Sequence, residues 1–139
     1  MLLPKLDSIA FSSYPAGHFQ NLAPEHYAVG YFSKPSEIAP DLPIMLAEFG
    51  VDGGIGSGLT ERQQAELLQR MIGEFAAVNP VALVYYQPFD MNYLGQPKWF
   101  KDLWSTTGLA RLDGTAKDSY FVWSDLFRLG TITSDDTPQ

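Results

Sequence analysis

The chain contains no cysteine among its 139 residues. That excludes a disulfide framework, a thiolate metal site and cysteine redox chemistry, and it leaves the compartment open. Positive charge is scarce: nine Lys and Arg stand against sixteen Asp and Glu, a formal net charge of −7. Such a chain is a poor partner for nucleic acid or an anionic membrane, because both are bound through clustered lysine and arginine. Long hydrophobic runs are missing as well. No stretch reaches the roughly eighteen consecutive apolar residues of a membrane-crossing helix. The opening residues MLLPKLDSIAF are broken by Pro4, Lys5 and Asp7 and are followed by no small-residue cleavage site, so they do not read as a secretion signal. The localisation of any longer parent, secreted or not, stays unknown. No internal repeat or low-complexity tract stands out.

What is present is a globular composition, 45% hydrophobic and 14% aromatic, at the size of one ordinary domain. Residues 6–14, LDSIAFSSY, alternate Ile9 and Phe11 and run into Pro15-Ala16-Gly17, which predicts a strand. A short helix is expected near 35–39. Residues 44–48 form a second strand between Pro43 and the glycine-rich GVDGGIGSG. The helix over 60–78 has the plainest pattern. Thr60 and Gln63 make a capping box, Ala65, Leu68, Met71, Ile72 and Phe75 line one face, and Asn79-Pro80 stops it. The continuously apolar VALVYYQ, 81–87, predicts a third strand covered on both faces. A loop rich in Trp, Tyr and Pro follows from 88 to about 108. A last helix then runs within GTAKDSYFVWSDLF, with Tyr120, Phe121, Ser124 and Phe127 on one side. Residues 131–139 read as a disordered tail behind a folded portion spanning 1–130. Strands alternating with helices imply a parallel sheet with right-handed crossovers.

One stretch resists a purely structural reading. LPIMLAEFGVDGG, residues 42–54, carries an apolar strand straight into Glu48, although a buried unpaired carboxylate costs several kcal/mol or changes its pKa. Either Glu48 reaches solvent at the strand end beside a nearby Arg, or it is held at a cleft. Ligands of parallel α/β sheets bind at the C-terminal strand ends. All three expected strands end in such chemistry: Ser12-Ser13-Tyr14, Glu48, and Tyr86-Gln87 followed by Asp90. Three polar endings on neighbouring strands favour the cleft.

LDSIAFSSYP, LPIMLAEFG and GLARLDGTAKDSYFVW together resemble the C-terminal part of the (β/α)8-barrel retaining glycoside hydrolases, in the clan that contains endo-galactanases, cellulases and mannanases. The resemblance covers nearly the whole chain. It implies an α/β fold, a partial TIM barrel made of the last three strand-helix units, strands six to eight, with parallel strands. In that clan the seventh strand ends in Glu-x-Gly and its Glu is the nucleophile, which makes Glu48 the catalytic position and Tyr14 its phenolic neighbour. Gly108, Leu109, Asp113, Gly114 and Lys117 match the stretch that leads into the last helix. The implied activity is hydrolysis of O-glycosidic bonds in poly- or oligosaccharides by double displacement, with a carbohydrate substrate and no cofactor.

Those residue types suit that chemistry. A retaining glycosidase needs a nucleophilic carboxylate and a second carboxyl about 5 Å away to protonate the leaving oxygen. A tyrosine bonded to the nucleophile keeps it ionised and oriented. Trp99, Phe100 and Trp104 can stack on sugar rings, or can equally pack their loop onto the barrel. Gln87 and Asp90 are expected sugar hydrogen-bonders. The chain departs from the clan's pattern: the clan's acid/base is a Glu after Asn on the fourth strand, and no Asn-Glu pair occurs here; strands one to five are absent from this sequence; and the eighth strand, which commonly ends in Trp, ends in Tyr86-Gln87. Glu25, Glu37 and Asp52 are expected in loops with nothing marking them as replacements. GGIGSG lacks both the G-x-G-x-x-G spacing and a P-loop lysine. His18 and His26 lack paired ligand spacing, so no metal is expected. The expectation is therefore a fragment of a hydrolase barrel that self-associates through its open edge. The alternatives are a non-catalytic carbohydrate-binding or structural remnant of such a barrel, and an unrelated α/β domain with an incidental Glu.

Overall fold

The structure, a computed structural model, describes residues 6–14, 30, 32–54, 57–78 and 80–129. The chain order is β1 (Ile9–Ser13), α1 (Ser33–Ile38), β2 (Ile44–Phe49), α2 (Glu61–Ala76), β3 (Pro80–Tyr85), α3 (Lys98–Trp104) and α4 (Asp118–Leu129). The strands form one sheet in the order β1-β2-β3, and both pairings are parallel. Each strand therefore delivers the chain to the same edge of the sheet, and that edge is where β1, β2 and β3 hand over to Tyr14, Gly50 and Tyr86.

Ile44, Leu46 and Phe49 of β2, with Phe11 of β1 and Leu83 and Tyr85 of β3, form the strand side of the core, and α2 packs onto it. The N-terminus of α2 is a capping box: the Thr60 hydroxyl accepts from the Gln63 amide at 3.2 Å while the Gln63 side chain accepts from the Thr60 amide at 3.0 Å. Leu68, Met71 and Phe75 are buried as their spacing requires, and Ala65 with them; Ile72 is only partly buried. The apolar stripe is wider than the spacing suggested, because Leu67 and the polar Gln64 are buried as well. Phe32, Ile44, Leu46, Phe49, Val51, Leu59 and Leu109 complete the core.

Three expectations change. First, the loop after β3 contains a helix, α3, whose first turn begins after Pro97 with its extended backbone. Second, α4 starts at Asp118, and the side carrying Tyr120 and Phe121 is not the one that faces the core. Tyr120 and Phe121 are exposed, whereas Val122 and Trp123 pack on the core. The run Tyr-Phe-Val-Trp offers two apolar stripes, and the buried Ser119, whose hydroxyl donates to Gln64 Oε1 at 3.3 Å, fixes which one faces α2. Ser124 instead bonds back to the Phe121 carbonyl at 3.0 Å, and the Phe127 side chain lies outside the described residues. Third, β3 is an edge strand with Val81 58% and Val84 46% exposed, so it is not covered on both faces by any described residue. A continuous apolar run signals what a strand requires, not what the chain itself supplies. The expected tail 131–139 and the helix stop at Asn79 lie outside the described residues. No helix among the described residues is long and apolar enough to cross a membrane.

Candidate active site

Glu48 owes its position to an irregularity in β2. Ile44 and Leu46 pack in the core, and strict alternation would send residue 48 after them. Instead Phe49, three residues beyond Leu46, takes the core position and Glu48 is exposed. The ladder explains the change. Against β1, Phe11 pairs with Leu46 but Ser12 pairs with Glu48; against β3, Leu83 pairs with Leu46 but Tyr85 with Phe49. β2 thus carries one extra residue at Ala47 relative to both neighbours. Such a bulge re-aims the side chains beyond it. An apolar strand can therefore finish on a carboxylate without burying it.

At the same sheet edge the Tyr14 hydroxyl donates to Glu48 Oε2 at 2.7 Å. Partial burial, and then the neighbouring Glu48 carboxylate, hold the Tyr14 phenol well above the usual tyrosine range. The Tyr14 phenol therefore stays protonated at neutral pH and remains the donor of this bond. Two rings hold Tyr14 edge-on: Tyr86, which follows β3, at 5.5 Å, and Trp104, at the end of α3, at 4.6 Å. Tyr86 and Trp104 are themselves 5.1 Å apart. Gly50 sits beneath this triangle, where any side chain would run into Thr107.

The other expected site residues sit around this pair in different ways. Gln87 is buried at 4% exposure and does not bond Glu48; its amide donates to the Trp104 carbonyl at 2.9 Å and accepts from the Tyr93 hydroxyl at 2.7 Å. Asp90 faces inward: its Oδ1 accepts from Lys117 Nζ at 2.6 Å and from the Gly108 amide at 3.0 Å. That amide comes so close that a side chain at Gly108 would meet the backbone of Phe89 and Asp90. Trp99 is 67% exposed and touches Phe100, which in turn reaches Trp104 at 6.2 Å.

Of the remaining carboxylates, Asp52 is buried and bonded to Thr106 Oγ1 and to the Ser57 amide, and burial raises its pKa. Glu37 belongs to α1, not a loop, and pairs with Lys34 at 2.7 Å. Glu25, His18 and His26 lie outside the described residues. Among the described residues no group of three or more His, Asp or Glu is placed to hold a metal. Sequence reading passed over Tyr86 as a partner of Tyr14 and gave Tyr93 no role. Their signal was present in the aromatic density of 85–104, but nothing in it assigns rings to partners.

No protein-family model matches the chain, and no curated protein matches it. Solved structures do. The β-D-glucuronidase of Dictyoglomus thermophilum aligns with a TM-score of 0.65 at 19% identity, over 88% of this chain and 23% of its own. The β-glucuronidase of Faecalibacterium prausnitzii aligns at 0.68 and 18%, over 89% of this chain and 22% of its own. A GH5_18 protein of Bifidobacterium longum subsp. longum, in complex with Manβ1-4GlcNAc, aligns at 0.65 and 15%, over 96% of this chain and 32% of its own. The chain thus spans between about a fifth and a third of the structures it resembles. At such identities the likeness shows the fold: part of a TIM barrel of the kind that glycoside hydrolases use.

Proposed function

We propose that the chain is the C-terminal part of a retaining glycoside hydrolase barrel, strands six to eight, in which Glu48 is the nucleophile. The observation that carries this reading is the 2.7 Å hydrogen bond from Tyr14 to Glu48 at the C-terminal ends of adjacent parallel strands. In the complete barrel one Glu48 oxygen attacks the anomeric carbon of a poly- or oligosaccharide as the glycosidic C–O bond breaks. The leaving oxygen takes its proton from a second carboxyl, and water later displaces Glu48 with retention. Tyr14, through its hydrogen bond, keeps the attacking carboxylate aimed. The Trp104 ring, 4.6 Å from Tyr14, offers an aromatic wall for a sugar, and the exposed Trp99 a second one. Gln87, bonded to Trp104 and Tyr93, and Asp90, bonded to Lys117 and Gly108, support the surrounding loop rather than the sugar.

A non-catalytic carbohydrate-binding remnant is the second reading. It is favoured by one observation: among the described carboxylates, Asp52 and Asp90 are both committed to other partners, and neither bonds Glu48. Dinitrophenyl glycosides separate the two readings, because their phenolate leaves without a proton. The first reading expects slow dinitrophenol release that Glu48→Gln abolishes. Release that is absent, or unchanged in Glu48→Gln, supports the remnant.

The outer edge of β3, which no described strand pairs, and the exposed Val81 and Val84 also support self-association of the isolated chain. Light scattering after gel filtration is expected to give masses above that of the 15.4 kDa monomer. A monodisperse monomer would argue against it.

A further inference from the structure

The chemistry above leaves one buried charge without a role. Lys117 is 1% exposed, and its ammonium donates to Asp90 Oδ1 at 2.6 Å and to the Thr106 carbonyl at 3.0 Å. Withdrawing two charges from water is costly enough that an apolar pair of similar volume is often at least as stable. Fold stability by itself is therefore a weak reason to have the pair here.

The groups that Lys117 gathers point to a different reason. Asp90, Thr106 and, through Asp90, the Gly108 amide are tied to one ammonium, so both sides of the segment carrying Trp104 are anchored. That segment is also clamped to the loop after β2. The Thr106 hydroxyl bonds the Asp52 carboxylate, the Gly53 amide donates to the Thr106 carbonyl at 3.1 Å, and the Gln64 amide reaches Thr106 and Gly108 carbonyls at 3.3 Å each. At the front of the same segment the Trp104 ring stands 4.6 Å from Tyr14, and Tyr14 holds Glu48.

We propose that the Lys117–Asp90 pair is a positioning device for Glu48. By fixing residues 104–107 it sets Trp104 against Tyr14, and so keeps the Tyr14 hydroxyl on the carboxylate. Neither charge touches Glu48 or a sugar. The consequence for catalysis rests on Glu48 being the nucleophile, but the mechanical coupling does not, and it is testable without a sugar.

The full chain is labelled with ¹³Cδ-glutamate and ¹³Cζ-tyrosine and observed by NMR near neutral pH. Tyr14→Phe locates the Glu48 signal of a carboxylate that has lost its phenol. Lys117→Met, and the charge-free pair Lys117→Met with Asp90→Leu, are expected to move the Glu48 signal most of the way to that position and to shift Tyr14. Adding Tyr14→Phe to either should then move Glu48 little further. The charge-free pair guards against misfolding of the single variant, since it leaves no buried charge unmatched. Wild-type Glu48 and Tyr14 signals in the folded charge-free pair would overturn the proposal, because the pair would then be structural only. So would loss of folding in the charge-free pair. Failure of the wild-type chain to react with activated glycosides would instead overturn the nucleophile reading and leave this coupling standing.

Discussion

Leu68→Ala is expected to lower the unfolding free energy by about 2–5 kcal/mol, a large fraction of what a domain of this size possesses. Leu68 is fully buried on the inner face of α2, in one cluster with Ile44, Leu46 and Phe49 of β2 and with Met71 and Phe75 of its own helix. Truncation removes the transfer free energy of the lost methyl and methylene groups. It also leaves a void between a helix and a sheet, neither of which can close it without moving the other. Urea denaturation followed by circular dichroism checks this, with an unchanged slope as the sign that only stability has moved. Leu112, 68% exposed, is the control, and its alanine variant should stay within about 0.5 kcal/mol of wild type. A cost below about 1 kcal/mol at Leu68 would mean that α2 does not seal the sheet.

The second large effect is a contrast between substrates. A natural polysaccharide expels a poor alkoxide, and protonation of that oxygen by a positioned acid contributes typically 10²–10⁴-fold. Asp52 and Asp90 each bond other groups of the chain, Thr106 and Lys117, and neither bonds Glu48. Orientation of the substrate by the remaining barrel strands is worth several kcal/mol more. Reducing-end assays are therefore expected to find no measurable hydrolysis of β-linked polysaccharides, while dinitrophenyl glycosides react slowly. On the proposed mechanism deglycosylation would lack its general base too, so azide, a nucleophile that needs none, should accelerate turnover and yield a glycosyl azide of retained configuration. Sustained polysaccharide cleavage that disappears in Glu48→Gln would show instead that an acid is present in this chain.

Much of this architecture was legible in the residues, and the reason differs from element to element. α2 announced itself because Thr60 with Gln63 marks its start and a stripe at helical spacing marks its face. β1 was legible from the alternation of Ile9 and Phe11, and β2 from its apolar run between Pro43 and the glycine-rich loop. The face of α4 was not, since four consecutive large residues satisfy two helical phases equally, and only the tertiary bond from Ser119 to Gln64 chooses between them. α3 was hidden for a related reason: Trp and Phe in a proline-bordered segment look alike in a loop and in a short helix. The exposure of β3 follows from what lies beside it, which its own composition cannot encode.

At the site, Glu48 stood out as a charge at the end of an apolar strand, yet the bulge at Ala47 that exposes it leaves no mark in composition. Gln87 and Asp90 were polar residues at a strand end, and polarity does not reveal which way a side chain turns. Both found partners within the protein, Tyr93 and Lys117, through contacts that exist only once the 88–117 segment is folded back on the sheet.

The most direct measurement of the central claim is covalent trapping. A 2-deoxy-2-fluoro glycosyl fluoride reacts with a retaining nucleophile without needing an acid, and the fluorine slows the second step so that the glycosyl-enzyme accumulates. The chain is incubated with β-configured gluco, manno and glucurono versions, its intact mass recorded, and the labelled peptide sequenced. The result predicted is a single added glycosyl group from at least one of the three, mapped to Glu48 and absent in Glu48→Gln. A label on any other residue, or an equal label in Glu48→Gln, would contradict the assignment of Glu48 as the nucleophile.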